Sequence, residues 1–175
     1  MEYIIIISSS NIQLIESNCE KAVEFFLSSE YEYYDSELNE MRISKKIIIS
    51  GFHTFKGNDK IYKLHYNILR KYIPSKYIVI ENKSNDIIQN LLFSRTYINI
   101  NQNYNQQNIT LYFCTHEKMI NLLIILSQII FKYYNKVFYL SNNCLLNDYS
   151  EIFEQNQNLM SYIQKIHNYE NIICI

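Results

Sequence analysis

Five short runs of consecutive apolar, largely β-branched residues recur along this chain. Each is followed by a polar cluster and then by a stretch with helical spacing. The runs are Tyr3–Ile7, Lys46–Ser50, Tyr77–Ile80, Ile109–Phe113 and Val137–Leu140. A run with little polar alternation offers no face to water, so it reads as a strand covered on both sides. Strands that alternate with helices are joined by crossovers, and crossovers produce parallel sheets with helices on both faces. The expected fold is therefore α/β, a three-layer, doubly wound, mostly parallel sheet of about five to six strands. The sixth would be an edge strand over Asn171–Ile175.

Helical spacing predicts helices over Gln13–Ser29, Asn58–Ile73, a segment opened by Ser84, Asn85 or Asp86 and reaching about Tyr97, Lys118–Tyr134 and Ser150–Ile166. Pro74 stops the second. The fourth is apolar nearly all round, which predicts burial between the sheet and its neighbours. Glu30–Glu40, where acids interleave with tyrosines, reads as a solvated loop or short helix, and the Asn/Gln-rich Asn99–Asn108 as a surface loop. Neither a repeat nor a linker interrupts the pattern, so residues 1–175 are expected to form one domain.

Composition narrows the function classes. The formal charge is −1, and the basic pairs Lys45–Lys46 and Arg70–Lys71 are too short to count as patches. No nucleic-acid partner is therefore expected. The longest apolar window, Ile120–Phe131, is too short for a bilayer, and Met1–Ile7 lacks the basic start of a signal peptide. No membrane association and a cytoplasmic location are the expectation. Cys19, Cys114, Cys144 and Cys174 form no CxxC pair and read as buried thiols in a reducing compartment. Gly occurs twice and Pro once, while Ile, Asn, Lys and Tyr, which share A/T-rich codons, abound. That points to an A/T-biased genome, such as that of a virus, protist or low-GC bacterium.

In open α/β sheets ligands sit beyond the carboxyl ends of the strands. Four polar clusters fall there: Ser8–Asn11, Ser50–His53, Glu81–Asp86 and Thr115–Glu117. Such residues also cap helices, and Ser84 and Thr115 are equally suited to that task. His53 and His116 titrate near neutrality and, with Glu81, are the candidate acid–base groups. A metal-dependent hydrolase using His53, Glu81 and His116 is one alternative, although no metal-ligand spacing marks the chain. The first turn contains no glycine, so the dinucleotide fingerprint is missing.

The motif order resembles the YdcF/SanA/ElyC-like domain, a Rossmann-like family. Ile47-Ile48-Ile49-Ser50-Gly51 matches its strand ending in Ser-Gly. Glu81, Ser84 and Asn90 match its E-x-x-S-x-N-T-x-x-N spacing, and Phe113-Cys114-Thr115 stands where V-T-S would be. Asp86 and Ile87 replace the family's Asn-Thr, and Lys118 and Asn121 stand where its His and Arg fall. The resemblance implies a small-molecule crevice lined by Ser50, Gly51, Ser84, Asn90, Thr115 and Lys118, with Glu81 accepting hydroxyls. It brings in S-adenosylmethionine as a candidate cofactor, beside other nucleotide-like or phosphorylated ligands. The substitutions raise a second alternative, a catalytically silent member acting through protein interaction.

Overall fold

A computed structural model describes residues 2–7, 12–28, 32–35, 40–43, 45–51, 60–100, 109–115, 117–140 and 164–166. Its centre is β1 (Glu2–Ile7), whose side chains alternate between two apolar layers. Ile4 and Ile6 pack against α1 (Ile12–Ser28) and α2 (Ile61–Leu69), with Ile47 and Ile49 of β4 (Lys45–Ser50) beside them. Tyr3, Ile5 and Ile7 join Ile48 on the opposite face. There they meet Ile88, Leu91 and Leu92 of α3 (Ile87–Ile100) and Leu122, Leu123 and Leu126 of α4 (Glu117–Ile130).

β1 is flanked by β4 on one side and β6 (Thr110–Thr115) on the other. β5 (Ile78–Glu81) and β7 (Asn135–Leu140) lie outside them, giving the order β5-β4-β1-β6-β7 with every pairing parallel. The chain first steps outward from β1 through β4 to β5, then returns to β6 and steps the other way. Right-handed crossovers place helices on opposite faces when the direction of travel reverses. The division of α1 and α2 from α3 and α4 follows that rule. The expected three-layer, doubly wound α/β sheet is thus the observed fold.

Three local expectations need correction. In the acidic stretch, where a solvated loop or short helix is the expectation, the described residues form β2 (Glu32–Asp35), which pairs antiparallel with β3 (Glu40–Ile43) in a sheet separate from the main one. Tyr33 and Tyr34, aromatic residues favoured in strands, are the strand signal inside that charged stretch. α4 is also not buried all round, since Ile125 and Ile129 remain 40% and 41% exposed. α2 ends at Leu69, earlier than expected, and the chain turns over Arg70–Ile73 before a short 3-10 turn at Ser75–Tyr77. Tyr72, within the expected helix range, lies beyond the helix and is 61% exposed.

Of the terminal helix only residues 164–166 are described; they are helical, and Ile166 enters the α3–α4 core. The proposed strand Asn171–Ile175 and the loop Asn99–Asn108 fall outside or largely outside the described residues. Cys19 and Cys114 are buried free thiols, as expected, whereas Cys144 and Cys174 lie outside the described residues. Among the described residues no helix is long and apolar enough to cross a membrane.

At the amino end of the sheet the fold buries a charge. Lys45 opens β4 opposite Glu2 of β1 and is wholly inaccessible to solvent. Its ammonium donates to the Phe25 carbonyl oxygen at 3.0 Å, lies 3.5 Å from Glu2 Oε2 and sits 4.0 Å from the Phe25 ring centroid. The Tyr112 hydroxyl donates to Glu2 Oε1 at 2.9 Å. Burial pulls the Lys45 pKa below the ordinary lysine value, and Glu2 opposes that shift. Removing one member of such a buried pair strands the other. Lys45→Ala should therefore lower unfolding stability by about 3–5 kcal/mol in chemical denaturation. Glu2→Gln, which keeps an acceptor oxygen facing Lys45, should cost less.

Candidate functional site

β4 and β5 run in register, pairing Ser50 with Glu81 at their carboxyl ends. The pairing extends one residue further, where the Gly51 N–H donates to the Glu81 carbonyl oxygen at 3.1 Å. Gly51 has φ of 134°, a region that only glycine occupies without steric cost, so the chain can leave the sheet immediately. Ser50 and Glu81 are thus fixed side by side by backbone pairing before any side-chain contact is considered.

The Glu81 carboxylate then gathers the loop that follows it. Oε1 accepts from the backbone N–H of Lys83 at 2.7 Å and of Ser84 at 3.0 Å. Oε2 accepts from the Ser50 hydroxyl at 2.8 Å and the Ser84 hydroxyl at 2.5 Å. A carboxylate offers about four acceptor positions, so donors of its own chain face all of them. Three elements are tied together at one oxygen pair: β4, the β5–α3 loop and, through Ser84, α3.

Asn90 closes the arrangement from α3. Its backbone carbonyl oxygen lies 3.0 Å from Ser50 Oγ, and its side-chain amide bonds to Ser84 Oγ. Each serine has one hydroxyl proton. With the Asn90 amide turned so that its N–H donates to Ser84 Oγ, the Ser84 proton is left for Glu81. Ser50, Ser84 and Asn90 are 0–2% exposed, whereas Glu81 is half-buried and Asn82, Lys83 and Asn85 are exposed around it. The network therefore has a solvent side formed by the Glu81 loop and a buried side formed by the two serines and Asn90.

Capping falls to a different residue. Asp86 Oδ1 accepts from the Gln89 N–H at 2.8 Å, and Gln89 Oε1 accepts from the Asn85 N–H at 2.8 Å. This is a reciprocal arrangement of the capping-box kind. Asp86 opens α3, which leaves the Ser84 hydroxyl free for Glu81 and Asn90.

Among the other sequence-predicted residues, Thr115 ends β6 and Lys118 lies in the first turn of α4, but their side chains lie outside the described residues. His53, His116 and the Ser8–Asn11 cluster also lie outside them. Among the described residues no group of three His, Cys, Asp or Glu side chains could hold a metal ion. The reversal point of the strand order falls between β1 and β6, and open α/β sheets place their ligand crevice there. Ser50 pairs with Ile7 at the end of β1. The Glu81 cluster thus begins one strand spacing, about 5 Å, from that crevice.

The described histidine and cysteines are inert by environment. His65 of α2 is fully buried, its Nδ1 is bonded to the Ile61 carbonyl oxygen at 3.1 Å, and its Nε2 has no partner. Burial lowers its pKa to about 4, with the backbone contact opposing. Burial also raises Cys19 far above the usual thiol value and pushes Cys114 up to about 12, so neither supplies a thiolate near neutrality. No family model, no curated protein and no solved structure matches the chain.

His65 generates a pH dependence whose sign is determined by its depressed pKa. The unfolded side chain takes a proton near 6.5 and the folded one only near about 4. Its contribution is fully present above about pH 6.5 and is lost as pH falls through about 4, for a total of about 3 kcal/mol. His65→Leu should flatten the denaturation free energy over that window. A slope identical to that of the parent chain would assign the acid sensitivity elsewhere.

Proposed function

We propose that the chain is a small-ligand-binding Rossmann-like domain of the YdcF-like kind, whose crevice lies at the carboxyl ends of the strands beside the Glu81 loop. The observation that carries this reading is the convergence of Ser50, Glu81, Ser84 and Asn90, from two strands, a loop and a helix, next to the strand-order reversal. Buried hydroxyls and amides contribute less to stability than well-packed apolar groups, and a fully connected polar network instead imposes one rigid geometry. Rigid geometry at a strand end is what a ligand wall requires. The same residues carry the family resemblance, which supports the reading from the side of sequence.

In this proposal Glu81 is a positioning residue. Its carboxylate already faces four donors, so a ligand hydroxyl can bond to it only by displacing one of them. Ser84 and Asn90 lie beneath the wall and act on a ligand through Glu81. The exposed rim, Asn82, Lys83 and Asn85, meets the ligand, with Lys83 supplying positive charge for a phosphate or carboxylate. A nucleotide-like or phosphorylated compound suits that combination, and S-adenosylmethionine remains the cofactor that the family resemblance suggests.

Thermal denaturation with S-adenosylmethionine, nucleotides, sugar phosphates and divalent metals tests the proposal. A ligand at about one hundred times its Kd should add about 2.7 kcal/mol, which raises the midpoint by roughly 5–10 °C for a chain of this size. Glu81→Ala should abolish that shift by releasing the loop, and Lys83→Ala should weaken an anionic ligand without lowering the unliganded midpoint. No shift with any compound would reject a ligand site of this chemistry. A shift given by divalent metals alone would favour the hydrolase alternative.

A further inference from the structure

The basic residues of this near-neutral chain are unevenly distributed. Between residues 60 and 80 there are five Lys or Arg and no Asp or Glu. Read along the sequence, Arg70–Lys71 is an isolated pair; Lys63 lies two helical turns before Arg70 on α2, and Lys76 follows in the 3-10 turn. All four of these side chains are exposed. Among the described residues none of the four makes an ion pair. Arg70 instead lies 6.0 Å from the Tyr66 ring centroid and Lys76 lies 5.0 Å from that of Tyr77. A cleft of about 510 Å³ opens at the end of α2, between Tyr66, Arg70, Lys71, Tyr72, Pro74 and Ser75. Tyr72 stands 61% exposed at its edge.

We propose that this face of α2 and the turn after it binds single-stranded nucleic acid, with Lys63, Arg70, Lys71 and Lys76 on the phosphates and Tyr72 stacked against a base. Cations that lack carboxylate partners neutralise phosphates and release the counterions held there. Exposed aromatic rings among them supply sequence-tolerant stacking, which lipid headgroups and inorganic anions cannot use. Arg70 and Lys71 also complement the negative end of the α2 dipole, but Lys63, in mid-helix, has no such role. A closed phosphate site built on backbone amides does not fit here. The N–H groups of Arg70, Lys71, Tyr72 and Ile73 all donate to carbonyl oxygens of the last turn of α2. Recognition falls to side chains spread along a surface, which suits a strand better than a single nucleotide. The cleft lies at the carboxyl end of α2, where the chain enters β5, at the opposite end of that strand from Glu81. It is therefore independent of the small-ligand site.

Fluorescence anisotropy of the full chain with labelled oligo-dT and oligo-U of about 12 nucleotides, a length within known single-strand site sizes, tests the proposal. Binding is expected in the micromolar range at about 50 mM salt, with log affinity falling against log salt at a slope of about −2 to −3 for three or four phosphate contacts. The double variant Arg70→Glu, Lys71→Glu should lose at least about tenfold in affinity and flatten the slope. Tyr72→Ala should weaken oligonucleotides roughly fivefold or more and leave inorganic polyphosphate binding unchanged. Glu81→Ala should leave oligonucleotide binding intact, which separates a failure here from a failure of the small-ligand site. Far-ultraviolet circular dichroism of each variant checks folding, and the Arg70, Lys71 and Tyr72 side chains are exposed. The proposal is overturned by no binding at low salt, by affinity unchanged in the double variant, or by polyphosphate or anionic vesicles binding as tightly as oligonucleotide with Tyr72→Ala without effect.

Discussion

Burial of β1 on both faces is the constraint from which the rest of the architecture follows. Tyr3, Ile4, Ile5 and Ile6 are wholly inaccessible, and successive side chains point to opposite helical layers. A central strand of this kind cannot tolerate a solvent-facing side, so both layers must be present for either to be stable. Ile47, Ile48 and Ile49 repeat the same demand on β4. Together they specify a three-layer sandwich before any helix is considered. Parallel pairing then sends the strand ends Ser50, Glu81 and Thr115 to one edge of the sheet.

What could be read from residues alone follows from how local each signal is. The strands are contiguous apolar runs, and the Glu81, Ser84, Asn90 spacing lies within ten residues, so both were visible without a fold. The pairing of β2 with β3 is announced by no alternation, since β2 reads Glu-Tyr-Tyr-Asp and its acids suit a solvated loop equally well. Lys45 reads in the sequence only as half of the basic pair Lys45–Lys46. Its burial depends on Glu2, Phe25 and Tyr112, which are distant in sequence. Arg70–Lys71 likewise reads as an isolated pair, because the spacing of Lys63 two turns before Arg70 takes effect only once α2 is built. Contacts across elements, in short, were invisible wherever no local pattern announced them.

The choice of helix cap shows how one such contact changes the meaning of a residue. Ser84, Asn85 and Asp86 are all competent to open α3, and sequence preference does not rank them decisively. In the fold, Asp86 takes the Gln89 N–H, and Gln89 reaches back to Asn85. Ser84 is thereby released to bridge Glu81 and Asn90. A substitution at Asp86 would thus act on the site indirectly, by making Ser84 the best remaining cap and drawing its hydroxyl away from Glu81.

The saturation of Glu81 bears on what kind of chemistry the site can hold. A general base needs an oxygen free to receive a proton from a substrate. Both oxygens here are engaged by serine hydroxyls and backbone N–H groups, which hold the carboxylate still. A carboxylate whose acceptor positions are all taken by its own chain is an anchor, with no position open to a substrate proton. The geometry therefore separates two roles that a carboxylate at a strand end often combines. On the proposed reading Glu81 shapes a ligand wall, and an acid–base step there would fall to another side chain.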